Sequence, residues 1–127
     1  MYALVDDIDS YVKFLPWCHK STVLKREPHS VDASLEIKYG KLHKSFTTRN
    51  LNTPHTRIEM QLLDGPFKHL HGKWQFTPLG EEGTKVELLL EFEFASKLMD
   101  FTVGPVFSQI ANSLVDAFTK RAKEVYA

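Results

Sequence analysis

The stretch Val31-Asp32-Ala33-Ser34-Leu35-Glu36-Ile37-Lys38-Tyr39 alternates without a break. Val31, Ala33, Leu35, Ile37 and Tyr39 fall on one side of an extended chain, and Asp32, Ser34, Glu36 and Lys38 on the other. A period of two marks a strand with one face buried and one wet. Gly40 offers a tight turn into residues 42–51, so this strand opens a hairpin. Further on, Asn52-Thr53-Pro54 is the next break, and 57–63 is a strand with Ile58, Met60 and Leu62 inward. Asp64-Gly65-Pro66 is a turn by composition. Leu70, Gly72, Trp74 and Phe76 then share one face. Pro78 and a turn at 80–83 lead to Val86, Leu88, Leu90, Phe92 and Phe94, again on one face. Backward from the hairpin, the period of two begins near Lys20. Residues 1–5 are apolar and helix-compatible, and Asp9 is placed to cap a short turn through Phe14 that Pro16 ends.

Near Phe101 the spacing changes. Phe107, Ile110, Ala111, Leu114, Phe118, Ala122 and Val125 recur every three or four residues, an apolar stripe on a helix of about 25 residues. Gly104-Pro105 is expected to kink or restart it, and Lys120, Arg121 and Lys123 suit its C-terminal dipole. Six antiparallel strands and one long helix, each with one apolar side, predict an α+β fold in which the sheet curls around the helix. A helix about 10 Å across is narrower than such a sheet. Either bulky side chains fill the remaining concavity or a cavity stays open, and whether several hundred Å³ lie between helix and sheet decides which.

The chain has 127 residues, 43% apolar and 25% charged, so a single domain over 1–127 is expected and low-complexity disorder and collagen are excluded. No apolar run approaches the roughly 18–20 residues of a membrane-spanning helix. The start, Met-Tyr-Ala-Leu-Val-Asp-Asp, has no basic segment and does not read as a secretory signal. Cys18 is the single cysteine, so no internal disulfide forms and a reducing cytoplasm is the default. Sixteen Lys and Arg balance sixteen Asp and Glu, which argues against a protein that binds nucleic acid by counterion release alone. The balance is uneven, however. Residues 19–50 carry seven basic and three acidic side chains, and residues 79–100 carry six acidic and two basic, a polarity that suits a docking face.

Motifs for chemistry are weak. Cys18 and His19 are neighbours on a strand and so face opposite ways. His69 and His71 share a face, but two imidazoles fall short of a zinc site and lie opposite Leu70 and Trp74. Asp6-Asp7-Ile8-Asp9 lacks the glycine and distal glutamate of a calcium loop. No glycine-rich phosphate loop occurs. No metal and no required cofactor are expected.

The runs Phe14-Leu15-Pro16-Trp17-Cys18, Phe46-Thr47-Thr48-Arg49-Asn50, Gly65-Pro66-Phe67, Gly72-Lys73-Trp74-Gln75-Phe76, Phe92-Glu93-Phe94 and Ala117-Phe118-Thr119-Lys120-Arg121-Ala122, in that order, resemble the coenzyme-Q-binding branch of the START-like superfamily. That branch is also grouped with polyketide cyclase/dehydrase and lipid-transport domains. The resemblance implies the helix-grip (START/Bet v 1-like) fold. It also implies non-enzymatic binding of a hydrophobic isoprenoid ligand, ubiquinone (coenzyme Q) first, in support of respiratory electron transport. The ligand would lie among Leu35, Ile37, Phe46, Thr48, Ile58, Met60, Leu62, Leu70, Trp74, Phe76, Leu88, Leu90, Phe92, Phe107, Ile110, Leu114 and Phe118. Thr48 and Asn50 would orient the quinone carbonyls.

Bacterial members of that family include ribosome-association toxins. The alternative is therefore a ribosome-binding, toxin-like protein that inhibits subunit association and translation. Its RNA contacts would be Lys38, Lys41, Lys44 and Arg49. A polyketide cyclase needs inward acid–base groups, and the pattern offers no convincing set. The family carries a further strand ahead of the first helix, pairing beside the last strand. With the chain starting inside that helix, the 86–94 strand would be an exposed edge. A start assigned late is the preferred explanation, ahead of a trimmed chain or an edge covered by dimerisation. The partners expected are an isoprenoid quinone or similar lipid, a ribosomal subunit, a transient membrane contact and a second copy at that edge. The location expected is the cytoplasm, including the periphery of the inner membrane.

Overall fold

The computed structural model describes residues 2–39, 42–80 and 83–126. Helix α1 (Tyr2–Asp6) and a 3-10 helix (Ile8–Lys13) precede six strands: β1 (Cys18–Glu27), β2 (Ser30–Tyr39), β3 (Leu42–Thr53), β4 (Arg57–Asp64), β5 (Phe67–Leu79) and β6 (Gly83–Phe94). Helix α2 (Lys97–Tyr126) closes the chain. The strands form one antiparallel sheet in sequence order, β1 to β6. Among the described residues β6 has β5 as its single neighbour. No helix among them is long and apolar enough to cross a membrane.

The register carries the alternation across the sheet. Val23, Ala33 and Thr48 stand opposite one another in turn on β1, β2 and β3. Ile58, Trp74 and Leu88 do so on β4, β5 and β6. The apolar rows therefore merge into one concave face, and α2 lays its stripe there. Phe118 is 1% exposed, with the rings of Tyr11, Phe14 and Trp74 edge-on at 5.2, 5.2 and 5.3 Å. Three turns earlier, Phe107 sits 4.5 Å from Phe92, 5.3 Å from Phe67 and 6.2 Å from Phe46. Edge-to-face pairing at these distances adds to the gain from burial. Gly65, at φ +152°, turns β4 into β5; a Cβ there would stand 2.7 Å from Cβ of Phe46.

Three local expectations change. Asp9 does not cap the short helix. Asp7 precedes it and accepts a hydrogen bond from the Ser10 hydroxyl at 2.7 Å. Asp9 instead accepts the Val23 backbone N–H at 2.9 Å, beside a register shift in β1. Strand β3 continues through Asn52 and Thr53, and the break falls on the turn that contains His55 at φ +62°. Helix α2 has 30 residues and runs through Gly104-Pro105 without restarting. Proline removes the hydrogen bond to the Phe101 carbonyl, but Phe101 and Pro105 both face solvent, so the loss falls on the exposed side of the helix. The expected turns at Gly40 and at 80–83 lie partly or wholly outside the described residues.

The N-terminal elements are tied to the sheet. Arg26 donates to the Asp6 carboxylate at 2.9 Å and to its backbone carbonyl at 3.0 Å, and Asn52 Nδ2 donates to the other carboxylate oxygen at 3.0 Å. The Tyr11 hydroxyl donates to the Val5 carbonyl. Because Phe118 joins α2, the 3-10 helix and β5, Phe118→Ala should lower unfolding stability by about 3–5 kcal/mol. Urea denaturation followed by tryptophan fluorescence measures this, and a loss under about 1 kcal/mol would contradict the packing described.

Candidate functional site

A cavity lies between α2 and the concave face of the sheet, with a volume of about 80 Å³. Twelve of the residues expected around a ligand line it: Leu35, Ile37, Phe46, Thr48, Met60, Leu70, Trp74, Leu90, Phe107, Ile110, Leu114 and Phe118. Ile58, Leu62, Phe76, Leu88 and Phe92 share the inner face but do not line the cavity. Ile58 is buried opposite Trp74. Phe76 lies parallel to Trp74 at 6.2 Å and edge-on to Tyr2 at 5.8 Å. Phe92 packs on Phe107. Leu62 and Leu88 are half-buried in the same face. Ile8, Tyr11 and Trp17 also line the wall, and periodicity gave no signal for them because they come from outside the sheet and α2. Ala33 and Ala111 line it too, and both stood in the periodic rows.

Of the two alternatives left by the sequence, filling by bulky side chains predominates: the aromatic rings around Phe107 and Phe118, with the N-terminal elements at one end, occupy most of the concavity. A dry engineered cavity of about 150 Å³ accepts one benzene.

The wall is apolar except at two points. Thr48 and Asn50, 7% and 8% exposed, sit on one inner row of β3, and the Thr48 hydroxyl donates to Asn50 Oδ1 at 3.0 Å. Tyr11 is the one titratable group of the lining. Burial, with the Asp6 charge behind it, pushes its phenol well above the ordinary range. The phenol stays protonated and fixed on the Val5 carbonyl. Cys18 lies outside the cavity wall. Burial raises its thiol, and Sγ donates weakly to the Lys20 carbonyl at 3.6 Å. His69 and His71 stand opposite Glu93 and Glu91 on the exposed face. No group of three metal-ligating side chains occurs among the described residues.

The basic residues do not form one patch. Lys38 and Arg49 belong to the outer face, whereas Lys44 stands opposite Ile37 and shares its side, exposed near the end of β3. Lys41 lies outside the described residues. Arg49 is engaged twice by Asp32, at 2.9 and 3.1 Å, and that hydrogen bonding holds the Asp32 carboxyl below its usual range. One end of the sheet does gather cations. Lys20, Lys38 and Lys44 come together, beside His19 and His43, where β1 begins, β2 ends and β3 begins. Among them stands the Glu36 carboxylate, bound by His43 at 2.7 Å, which holds that carboxyl below its usual range.

A curved antiparallel sheet closed on a long C-terminal helix, with an apolar space between them, defines a helix-grip protein. Residues 1–119 match the family described as polyketide cyclase / dehydrase and lipid transport. The chain belongs to that family. Among curated relatives, the Ribosome association toxin RatA of Pseudomonas aeruginosa is 47% identical over 126 residues, covering 99% of this chain and 88% of its own. RatA of Escherichia coli is 46% identical over 127 residues, covering 100% and 80%. The mitochondrial Coenzyme Q-binding protein COQ10 homolog B of Xenopus laevis is 29% identical over 130 residues, covering 99% and 53%. The solution structure of an 18 kDa protein from Caulobacter crescentus aligns with TM-score 0.73 at 33% identity, over 97% of this chain and 86% of that one. The crystal structure of the Zhui aromatase/cyclase from Streptomyces sp. R1128 aligns at 0.81 with 15% identity, over 99% and 86%; that likeness is one of fold alone.

The buried Cys18 sets a simple test of the packing beneath β1. A thiol whose ionisation is pushed upward holds little thiolate at pH 8. Iodoacetamide should label the native protein far more slowly than the urea-unfolded chain at pH 8. Equal rates would mean that this end of the sheet is open.

Proposed function

We propose that this protein binds a ribosomal subunit and thereby inhibits subunit association and translation, as a toxin-like, non-enzymatic factor of the cytoplasm. What carries the reading is near-full-length similarity, at 46–47% identity, to proteins named ribosome association toxins. Two physical observations support it. The inner cavity is too small for a large substrate, which leaves the outer surface as the working part. The cationic end of the sheet, with Lys20, Lys38 and Lys44 exposed, matches the polyanionic backbone of ribosomal RNA.

Purified protein should co-sediment with ribosomal subunits and lower the yield of joined ribosomes, and its binding should weaken steeply with salt. Lys38→Glu and Lys44→Glu together should release it, while Lys73→Glu on the opposite half of the sheet should not. Salt-independent sedimentation, or full binding by the double variant, would overturn the assignment of this face.

A second reading, an isoprenoid quinone held between sheet and helix, is favoured by the relative named Coenzyme Q-binding protein and by the apolar lining. It requires α2 to move outward. Solvent extraction of protein purified from cells, read by mass spectrometry, should then yield a quinone. No quinone in the extract and no saturable binding of added ubiquinone would remove this reading.

A further inference from the structure

We infer, resting on the reading of the cationic end of the sheet as the ribosome-contacting face, that binding there is coupled to proton uptake: His19 and His43 act together as an acid-sensing pair that strengthens the hold on RNA phosphates as pH falls.

Strand geometry brings the two rings together. His43 stands opposite Lys38 on the outer face, at the start of β3. His19 falls within the register shift at the start of β1, between Cys18, opposite Ile37, and Lys20, opposite Glu36. Strand β2 lies between β1 and β3, yet the imidazoles meet across it, edge to face with centroids 6.5 Å apart. Both residues are exposed, as are Lys20 and Lys38 beside them. One carboxylate is set among them: Oε1 of Glu36 lies 2.7 Å from Nε2 of His43. Strand β4 pairs with β3 from Thr47 onward, where Asp64 stands opposite. The 3-10 helix packed on β1 brings Asp9 to Val23 and carries Lys13. The charges around the pair are thus Lys20, Lys38 and Glu36, with Lys44 on the other side of the same end.

Histidine is the side chain whose charge ordinarily changes between pH 5 and 8. The lysines keep their charge through that interval, and the hydrogen bond from His43 keeps Glu36 ionised. With both imidazoles neutral, Lys20, Lys38 and Glu36 leave one net positive charge on this outer corner; with both protonated, the corner carries three. Two imidazolium rings at 6.5 Å repel each other, and a phosphate arriving beside them relieves that repulsion. Binding and protonation therefore favour each other, by linkage. Glu36 offsets one charge and leaves the second free to act. His29 and His55 lie in turns at the far end of the sheet, and His69 and His71 lie on β5, so the effect is local to this pair.

Co-sedimentation of the full chain with purified ribosomal subunits, titrated at about pH 6 and about pH 8 in equal salt, tests this. Binding should be about tenfold tighter at the lower pH, and the fall of log K with log salt should steepen there by about one unit for each imidazole. His19→Gln with His43→Gln should bind equally at the two pH values, at or below the level of the native chain at pH 8. Glu36→Gln, which removes the offsetting carboxylate, should tighten binding at pH 8. His69→Gln with His71→Gln should keep the full pH response. Binding by the native chain that is the same at both pH values, a pH response that survives in the His19 and His43 double variant, one that is lost with His69 and His71, or weaker binding by Glu36→Gln would each overturn the inference and leave ribosome binding standing. No sedimentation at either pH would remove ribosome binding and the inference with it.

Discussion

The burial of one helical stripe in one concave sheet face governs the rest of this structure. Phe107, Ile110, Leu114 and Phe118 follow one another along α2, and each strand contributes an inner row that meets them directly or closes around them. The helix is narrower than the sheet, so this contact alone leaves part of the concave face uncovered. Two sets of residues solve that problem. Phenylalanines from β3, β5 and β6 surround Phe107. Tyr11, Phe14 and Trp17, drawn in by Asp6 and Asp9 contacts to β1 and β3, close the other end. What remains open is small, and it lies where Ala33 and Ala111 face each other's elements beside the Thr48–Asn50 pair.

The outer face obeys a different rule. Opposite charges pair both across strands, Asp32 with Arg49 and Lys68 with Glu93, and along them, Lys25 with Glu27 and Lys85 with Glu87. Exposed pairs of this kind add little to stability. Their effect is to cancel local fields, so that most of a highly charged surface carries little net potential. Cations persist at the end of the sheet where β1, β2 and β3 meet. The two faces therefore differ in kind: the inner one is closed by apolar packing, and the outer one is paired in charge except at that end.

Family membership sharpens this division. Proteins with the same helix-grip scaffold are named as toxins, coenzyme-Q binders and aromatase/cyclases. A scaffold shared so widely does not specify an activity; the side chains mounted on it do. In this chain the aromatic filling narrows the interior, and the buried amide of Asn50 gives what is left a polar point of its own.

The alternation in residues 31–39 and its counterparts down the chain determined the six strands, their inward faces and the helix that answers them, because a side chain's direction follows from backbone periodicity alone. Twelve of the inward residues proved to line the cavity for the same reason. Periodicity carries no distances, however. That Ile58 and Phe76 would be sealed behind Trp74 depends on how the rings of three strands interlock. That Ile8, Tyr11 and Trp17 would reach the wall depends on hydrogen bonds that Arg26 and Asn52, far off in the chain, donate to Asp6. Arg49 looked like a free cation until the register set it beside Asp32. The size of the cavity was the least legible quantity. It is a small difference between the large volume a curved sheet encloses and the large volume its side chains fill, and only their packing in three dimensions fixes that remainder.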